Sequence, residues 1–233
     1  MTCMKWCKQV LVAAVAMAAS LPASAAGLTL DQALAKIDQV ASHFKGLAAN
    51  IETLQHMEAI HDNDSQTGTI LVKRPNRNSL HVKIAIEHPD KKVAYADGNK
   101  VDVYYPSSQE IQEVALGHRK SLVDMILTLG FGGSSKELLA DYKVTLGGPD
   151  TVAGKSATRL ELDPTSADMK EQWKKIELWI ADDTGYAVQQ KFFEKGNDYT
   201  LITYTNVQPR SDIPDSEFTL PKGAKKEPLN KKK

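Results

Sequence analysis

From Ile51 onward the helical period fades and a period of two takes over, a spacing that puts apolar side chains on one face of an extended chain. Residues 69–73 read as a strand ending at Arg74-Pro75-Asn76, where a proline without an N–H breaks or edges a sheet. Val82, Ile84 and Ile86 alternate with His81, Lys83, Ala85 and Glu87. Residues 93–96 lead into Asp97-Gly98-Asn99, a hairpin turn, after which Val101, Val103 and Tyr105 alternate with Asp102 and Tyr104. Pro106-Ser107-Ser108 turns the chain again into a strand over 109–116. Strands joined by such short turns make an antiparallel meander.

What flanks the meander decides the architecture. Upstream, Thr29-Leu30-Asp31-Gln32 reads as a capping box, with Thr29 as N-cap and Gln32 able to reach back. Leu30, Leu34, Ile37, Ala41, Phe44 and Ala48 then follow at helical spacing, predicting an amphipathic helix of about five turns that lies on something apolar. Downstream, residues 121–129 carry Leu122, Val123, Met125, Ile126, Leu127 and Leu129, a short helix apolar over most of its surface. Gly130, Gly132 and Gly133 break it, and Ser134-Ser135 starts a second short helix through Leu138-Leu139-Ala140. Strands resume over 142–146, 158–162, 176–181, 187–194 and 199–207, with hairpin loops at 182–185 and 195–198. About ten consecutive antiparallel strands curl because their twist accumulates. The fold class is therefore α+β: a single curled antiparallel sheet, an incomplete β-barrel, with helices forming a lid over an apolar cavity.

The N-terminus sets the compartment. Lys5 and Lys8 precede an apolar run over 10–19, and Pro22 precedes Ala23-Ser24-Ala25, the small residues a signal peptidase accepts. The run is far shorter than the roughly 20 residues of a spanning helix. Residues 1–25 read as a cleaved secretory signal, removed before Ala26, which places the product in the periplasm. Cys3 and Cys7 precede the apolar run, so neither is a lipoprotein acylation site, and cleavage leaves a cysteine-free chain of 208 residues. It also leaves 27 basic against 29 acidic residues, a balance that excludes a strongly basic nucleic-acid binder. Residues 26–221 form the domain; 222–233, with six lysines and one glutamate, read as a disordered tail.

Signatures of chemistry are missing. The chain has no Gly-x-Ser-x-Gly elbow, no His-Glu-x-x-His and no Gly-x-Gly-x-x-Gly after a strand, so no catalytic residue and no cofactor is expected. His56 and His61, with Glu58, Asp62 and Asp64 nearby, suggest a metal site, but on one strand their odd separation puts them on opposite faces, and no metal is expected. Residues 130–136 resemble a phosphate loop only superficially; a glycine-rich hinge between two helices fits better.

Two segments carry more. Gly68-Thr69-Ile70-Leu71-Val72-Lys73-Arg74-Pro75-Asn76-Arg77 is followed by Asp97-Gly98-Asn99-Lys100-Val101-Asp102-Val103-Tyr104-Tyr105-Pro106. In order and spacing these resemble the periplasmic outer-membrane lipoprotein carrier family, the lipoprotein-sorting proteins. Leu160-Glu161-Leu162-Asp163-Pro164, Ile176-Glu177-Leu178-Trp179-Ile180 and Phe218-Thr219-Leu220-Pro221-Lys222-Gly223 look like the family's later strands and its closing segment. The resemblance implies an incomplete barrel whose helical lid encloses a cavity for the acyl chains of a lipoprotein. It implies that Arg74 closes the lid by bonding lid carbonyls, a task suited to a planar fork of donors. It also implies acylated lipoprotein cargo, an inner-membrane lipoprotein-releasing transporter and an outer-membrane receptor as partners. Asp102 departs from the family, which usually has an aromatic residue there, and that puts a cavity-lining or edge contact in question.

A carrier's cavity could be lined by Val82, Ile84 and Ile86, by Val101, Val103 and Tyr105, and by Ile176, Leu178 and Ile180, and its lid by Leu122, Met125, Ile126, Leu129 and Phe131; ordinary core packing is the competing reading of each strand set. Three functions are carried forward: a soluble monomeric carrier of lipoproteins or lipids between the two membranes, a sensing module of the same fold that signals to a partner protein, and an exported hydrolase. The third lacks any visible nucleophile–base pair, so a non-enzyme is expected.

Overall fold

The computed structural model describes residues 27–76, 79–97, 100–115 and 129–227. The chain opens with α1 (Leu30–His43), then β1 (Gly46–Met57), β2 (Asp62–Asn76), β3 (Ser79–His88), β4 (Lys92–Asp97), β5 (Lys100–Tyr105) and β6 (Glu110–Ala115). After residue 128 come α2 (Ser135–Asp141), β7 (Tyr142–Val152), β8 (Lys155–Pro164), α3 (Ala167–Gln172), β9 (Lys175–Ala181), β10 (Ala187–Phe193), β11 (Tyr199–Pro209) and β12 (Lys225–Glu227). The described strands form one twelve-stranded sheet in the order β12-β6-β5-β4-β3-β2-β1-β11-β10-β9-β8-β7. It is open, with β12 and β7 at its edges. Neighbours are antiparallel except β12 and β6, which run parallel.

The predicted architecture holds, with three corrections. Twelve strands replace about ten, the additions being β1 and β12. The first helix stops at His43 rather than near residue 48, with Phe44 already extended at its C-cap. From Leu47 the alternation Leu47, Ala49, Ile51 is buried, and the backbone of this stretch bonds strands on both sides, Ala48 facing Leu71 of β2 and Gln208 of β11. A ladder on each side outweighs the helical spacing of Phe44 and Ala48. Third, part of the tail read as disordered is structured: Lys225, Lys226 and Glu227 pair with Glu110, Ile111 and Gln112. Residues 228–233 and residues 1–26, which include the segment read as an export signal, lie outside the described residues.

The helix N-terminus is as the sequence predicts. Thr29 Oγ1 accepts from the Gln32 N–H while Gln32 Oε1 accepts from the Thr29 N–H. The helix lays Ala33, Ile37 and Val40 against the sheet, and Phe44, Leu129, Phe131 and Leu138 join the same apolar cluster. Asp38 of α1 holds the start of α2 by accepting from the Ser135 N–H at 2.8 Å and from its hydroxyl at 2.6 Å. On the outer face, Trp179 packs with Val152, Ala157, Ala181 and Val188, and its indole N–H donates to Asp150 at 2.8 Å. That bond, with the Thr151 N–H, holds the Asp150 carboxyl below the usual carboxylate range. No helix among the described residues is long and apolar enough to cross a membrane.

Candidate functional site

The inner face of the sheet gathers the residues read as cavity lining. Val82, Ile86, Val101, Ile176, Leu178 and Ile180 are buried in the central apolar cluster, and Ile84 and Val103 pack against it half-buried. Tyr105 is half-buried at the end of β5. The register explains their company: Ile84 faces Ile70 on β2 and Ala94 on β4, and Ala94 faces Val103. Across the sheet, Leu178 faces Leu160 on β8 and Gln190 on β10. Of the residues read as lid, Leu129 and Phe131 are fully buried in the same cluster. Leu122, Met125 and Ile126 lie outside the described residues.

Arg74 reaches this segment from the end of β2. Its backbone N–H donates to the Lys45 carbonyl at 2.8 Å, which fixes the strand beside the start of β1. Its Nη1 donates to the Gly132 carbonyl at 2.9 Å, and the guanidinium stands 5.7 Å from the centroid of the Phe44 ring. Partial burial pulls its pKa down and the charge of Glu137 opposes that; an arginine starts so high that it stays cationic. The resemblance singled out this arginine, and the structure shows it holding one carbonyl of the segment that joins the two short helical regions of the sequence.

A second contact on that segment has no counterpart in the sequence reading. The Gln190 amide nitrogen donates to the Leu129 carbonyl at 2.9 Å, and the Tyr204 hydroxyl donates to the Gln190 amide oxygen at 3.0 Å. Gln190 is fully buried. The run Val188-Gln189-Gln190-Lys191-Phe192 has no clean alternation, so nothing in it says that Gln190 points inward; its pairing with Leu178 does.

Asp102 faces away from the cavity residues of its own strand. It lies opposite Tyr95 and Glu113, buried, with Lys100 Nζ at 3.2 Å and Lys226 Nζ at 3.4 Å. Lys226 also reaches Glu113 at 3.0 Å. The position where the family usually has an aromatic residue therefore anchors β12 here and does not line the inner face. The structure does not bring the residues of the histidine cluster together as a ligand set. Among the described residues no group of three or more His, Cys, Asp or Glu could hold a metal ion. His56 and His61 are separated by the 3-10 turn Glu58–Ile60, and the His56 ring bonds Glu58 at 2.9 Å and Asn63 at 2.8 Å.

The family model described as outer membrane lipoprotein carrier protein LolA matches residues 42–221, from the last turn of α1 to beyond β11. The chain belongs to the LolA family. No curated protein matches it by sequence. Its structure resembles an uncharacterized conserved protein from Thermus thermophilus at 9% identity, covering 85% of this chain and 98% of that one with a TM-score of 0.54. It also resembles MucB at 11% identity, covering 84% of this chain and 64% of that one with a TM-score of 0.51. A LolA superfamily protein from Nitrosomonas europaea, 16% identical, matches over 83% of this chain and 98% of its own with a TM-score of 0.41. At these identities the likeness is one of fold. The Arg74–Gly132 contact falls inside the LolA match at both ends.

Proposed function

We propose that this LolA-family chain is a periplasmic carrier that takes the acyl chains of lipoproteins, or of related lipids, onto the inner face of its sheet and moves them from the inner to the outer membrane. The observation that carries the reading is the tie between Arg74 and the Gly132 carbonyl, within a chain matched to the lipoprotein carriers. It joins an open apolar sheet to the glycine-rich segment 129–132, as a site that must open requires.

The need for such a protein is physical. Each buried methylene is worth about 0.8 kcal/mol, so a ~16-carbon chain favours an apolar site over water by roughly 12 kcal/mol. An acylated protein does not cross an aqueous space alone at a useful rate. Release against that preference calls for direct handover, which gives the inner-membrane transporter and outer-membrane receptor implied by the family their place. No covalent step is involved, and the reading is non-enzymatic.

A second reading is a lipid- or lipoprotein-sensing module of the same fold that signals to a partner protein. Two measurements test both. Purified mature protein is extracted and its lipids are identified by mass spectrometry; the same protein is incubated with membrane vesicles that hold an acylated lipoprotein. A carrier yields acyl lipid and releases lipoprotein into the supernatant. A sensor binds lipid and releases nothing. No lipid and no release overturn both.

A further inference from the structure

Gln190 is an amide placed where packing alone would take an aliphatic side chain. It faces Leu178 on β9 and Ile202 on β11, and neighbours Tyr204 diagonally. Burying an amide among apolar groups costs free energy unless its hydrogen bonds are made. Here Tyr204 fixes how they are made. Burial pushes the Tyr204 phenol far above its ordinary range, so its hydroxyl keeps its proton and donates to the amide oxygen. The amide nitrogen is thereby turned toward the Leu129 carbonyl.

That carbonyl sits in a segment with the make-up of a short acyl ligand. Leu129 and Phe131 are fully buried apolar side chains beside a main-chain carbonyl, and Phe131 meets the Tyr204 ring edge-on at 4.8 Å. The segment lies too close to its surroundings for a side chain at its glycines. A Cβ on Gly130 would stand 2.2 Å from the Ala187 Cβ, and one on Gly132 would stand 2.6 Å from the Phe44 ring, at a φ of +93°. Its attachments include a long backbone bond, from the Ala187 N–H to the Gly130 carbonyl at 3.4 Å, and the side chains of Arg74 and Gln190.

We propose that Gln190, oriented by Tyr204, is a recognition site for the carbonyl of the ligand's acyl ester or amide, and that Leu129 occupies it in the unloaded protein. When residues 129–132 withdraw, the carbonyl that joins an acyl chain to its headgroup takes the hydrogen bond that Leu129 gives up. The inference rests on the carrier reading and deepens it by naming the group that positions the chain. Exchange of one carbonyl for another preserves this hydrogen bond of the amide in both states. Loading and unloading then proceed without an orphaned polar group on the apolar floor.

The test compares two displacement probes of equal chain length on the mature protein: the palmitoyl ester of glycerol and the matching hexadecyl glycerol ether, which lacks the carbonyl. Wild type binds the ester about tenfold more tightly, the worth of one buried hydrogen bond. Gln190→Met, similar in shape, binds both within about twofold, and the carbonyl stretch of an isotope-labelled ester, lowered by hydrogen bonding in wild type, returns to its unbonded frequency. Tyr204→Phe keeps the ring against Phe131 and lowers the ester preference; it carries the test if Gln190→Met does not fold. Equal binding of both probes by wild type, or an ester preference that survives in Gln190→Met and Tyr204→Phe, overturns the site alone. Failure of wild type to bind either probe overturns the carrier reading and the site with it.

Discussion

The two halves of the sheet bury their inward residues to different depths. In β9 every residue from Ile176 to Ala181 is buried, because the inner face packs into the central cluster and the outer face lies under Trp179, Val152 and Val188. In β3–β5, by contrast, the inward row Ile84, Ala94 and Val103 is half-buried beside the buried Val82, Ile86, Ala96 and Val101. Residues with the same hydropathy pattern thus do different jobs. The β8–β10 side is covered by Leu129 and Phe131, which complete its core and hold the fold while they stay docked. The β3–β5 side keeps apolar surface that can still gain from contact with a ligand, at roughly 25 cal/mol for each Å² covered.

The strongest way to break this comparison is to put a charge on each side. Leu178→Asp is expected to unfold the protein, since an unpaired carboxylate would sit between Leu160 and Gln190 at a residue 1% exposed; the loss exceeds about 4 kcal/mol in a denaturant melt. Ile84→Asp is expected to leave a cooperative melt, destabilised by roughly 1–2 kcal/mol, while acyl-probe binding falls at least tenfold. A folded Leu178→Asp, or an unfolded Ile84→Asp, would abolish the distinction.

Truncation reads the same contrast more gently. Leu178→Ala should cost about 3 kcal/mol, and Ile84→Ala about 1 kcal/mol because its site is already partly open. Comparable losses would show that the two sides are equally packed.

Arg74 on β2 and Gln190 on β10 hold carbonyls three residues apart, so the segment bridges the two halves. Arg74→Leu removes one hydrogen bond from a half-exposed cation, about 1 kcal/mol. Hydrogen exchange should quicken at residues 130–134 while the global melt moves little, and cargo acceptance or release should be impaired. Unchanged exchange and unchanged transfer would remove Arg74 from that role.

The smallest expected effect concerns the outer end of the β1–β2 hairpin. Hydrogen bonds to Glu58 and then to Asn63 raise the pKa of His56 above the ordinary imidazole value, and its ring stacks on Tyr199 at 4.8 Å. A folded-state pKa above the unfolded value of about 6.5 stabilises the protein fully below that pH, and the contribution fades as pH rises through the raised pKa. Asp150 and Asp215 are shifted down, so their contributions fade only in acid and do not enter this window. The melting temperature should fall slightly between about pH 5.5 and about pH 8.5, and His56→Gln should flatten that slope. An unchanged slope in the variant would assign the pH dependence elsewhere.

Much of this was legible in the chain. The capping box at Thr29, the meander, the restart of helix at Ser134 and the inward faces of β3, β5 and β9 all rest on local spacing, which sequence displays directly. The C-terminal limit of α1 was not, because Phe44 and Ala48 fit a helix as well as a strand until β2 and β11 supply ladder partners. The place of Asp102 was not either. Its burial depends on Lys226, 124 positions further along, whose lysine-rich context reads as a solvated tail. The resemblance pointed to Arg74, yet only the fold shows which carbonyl it holds.

By itself the sequence determined the alternation and the family pattern, since each depends on residues near one another in the chain. The tertiary structure decided which apolar faces became core and which stayed half-buried, because that depends on what the sheet's curl brings opposite. It also turned a glutamine in an irregular run into a buried donor. A hydrogen bond across 61 residues leaves no periodic trace in sequence, and only the pairing of β10 with β9 and β11 sets its direction.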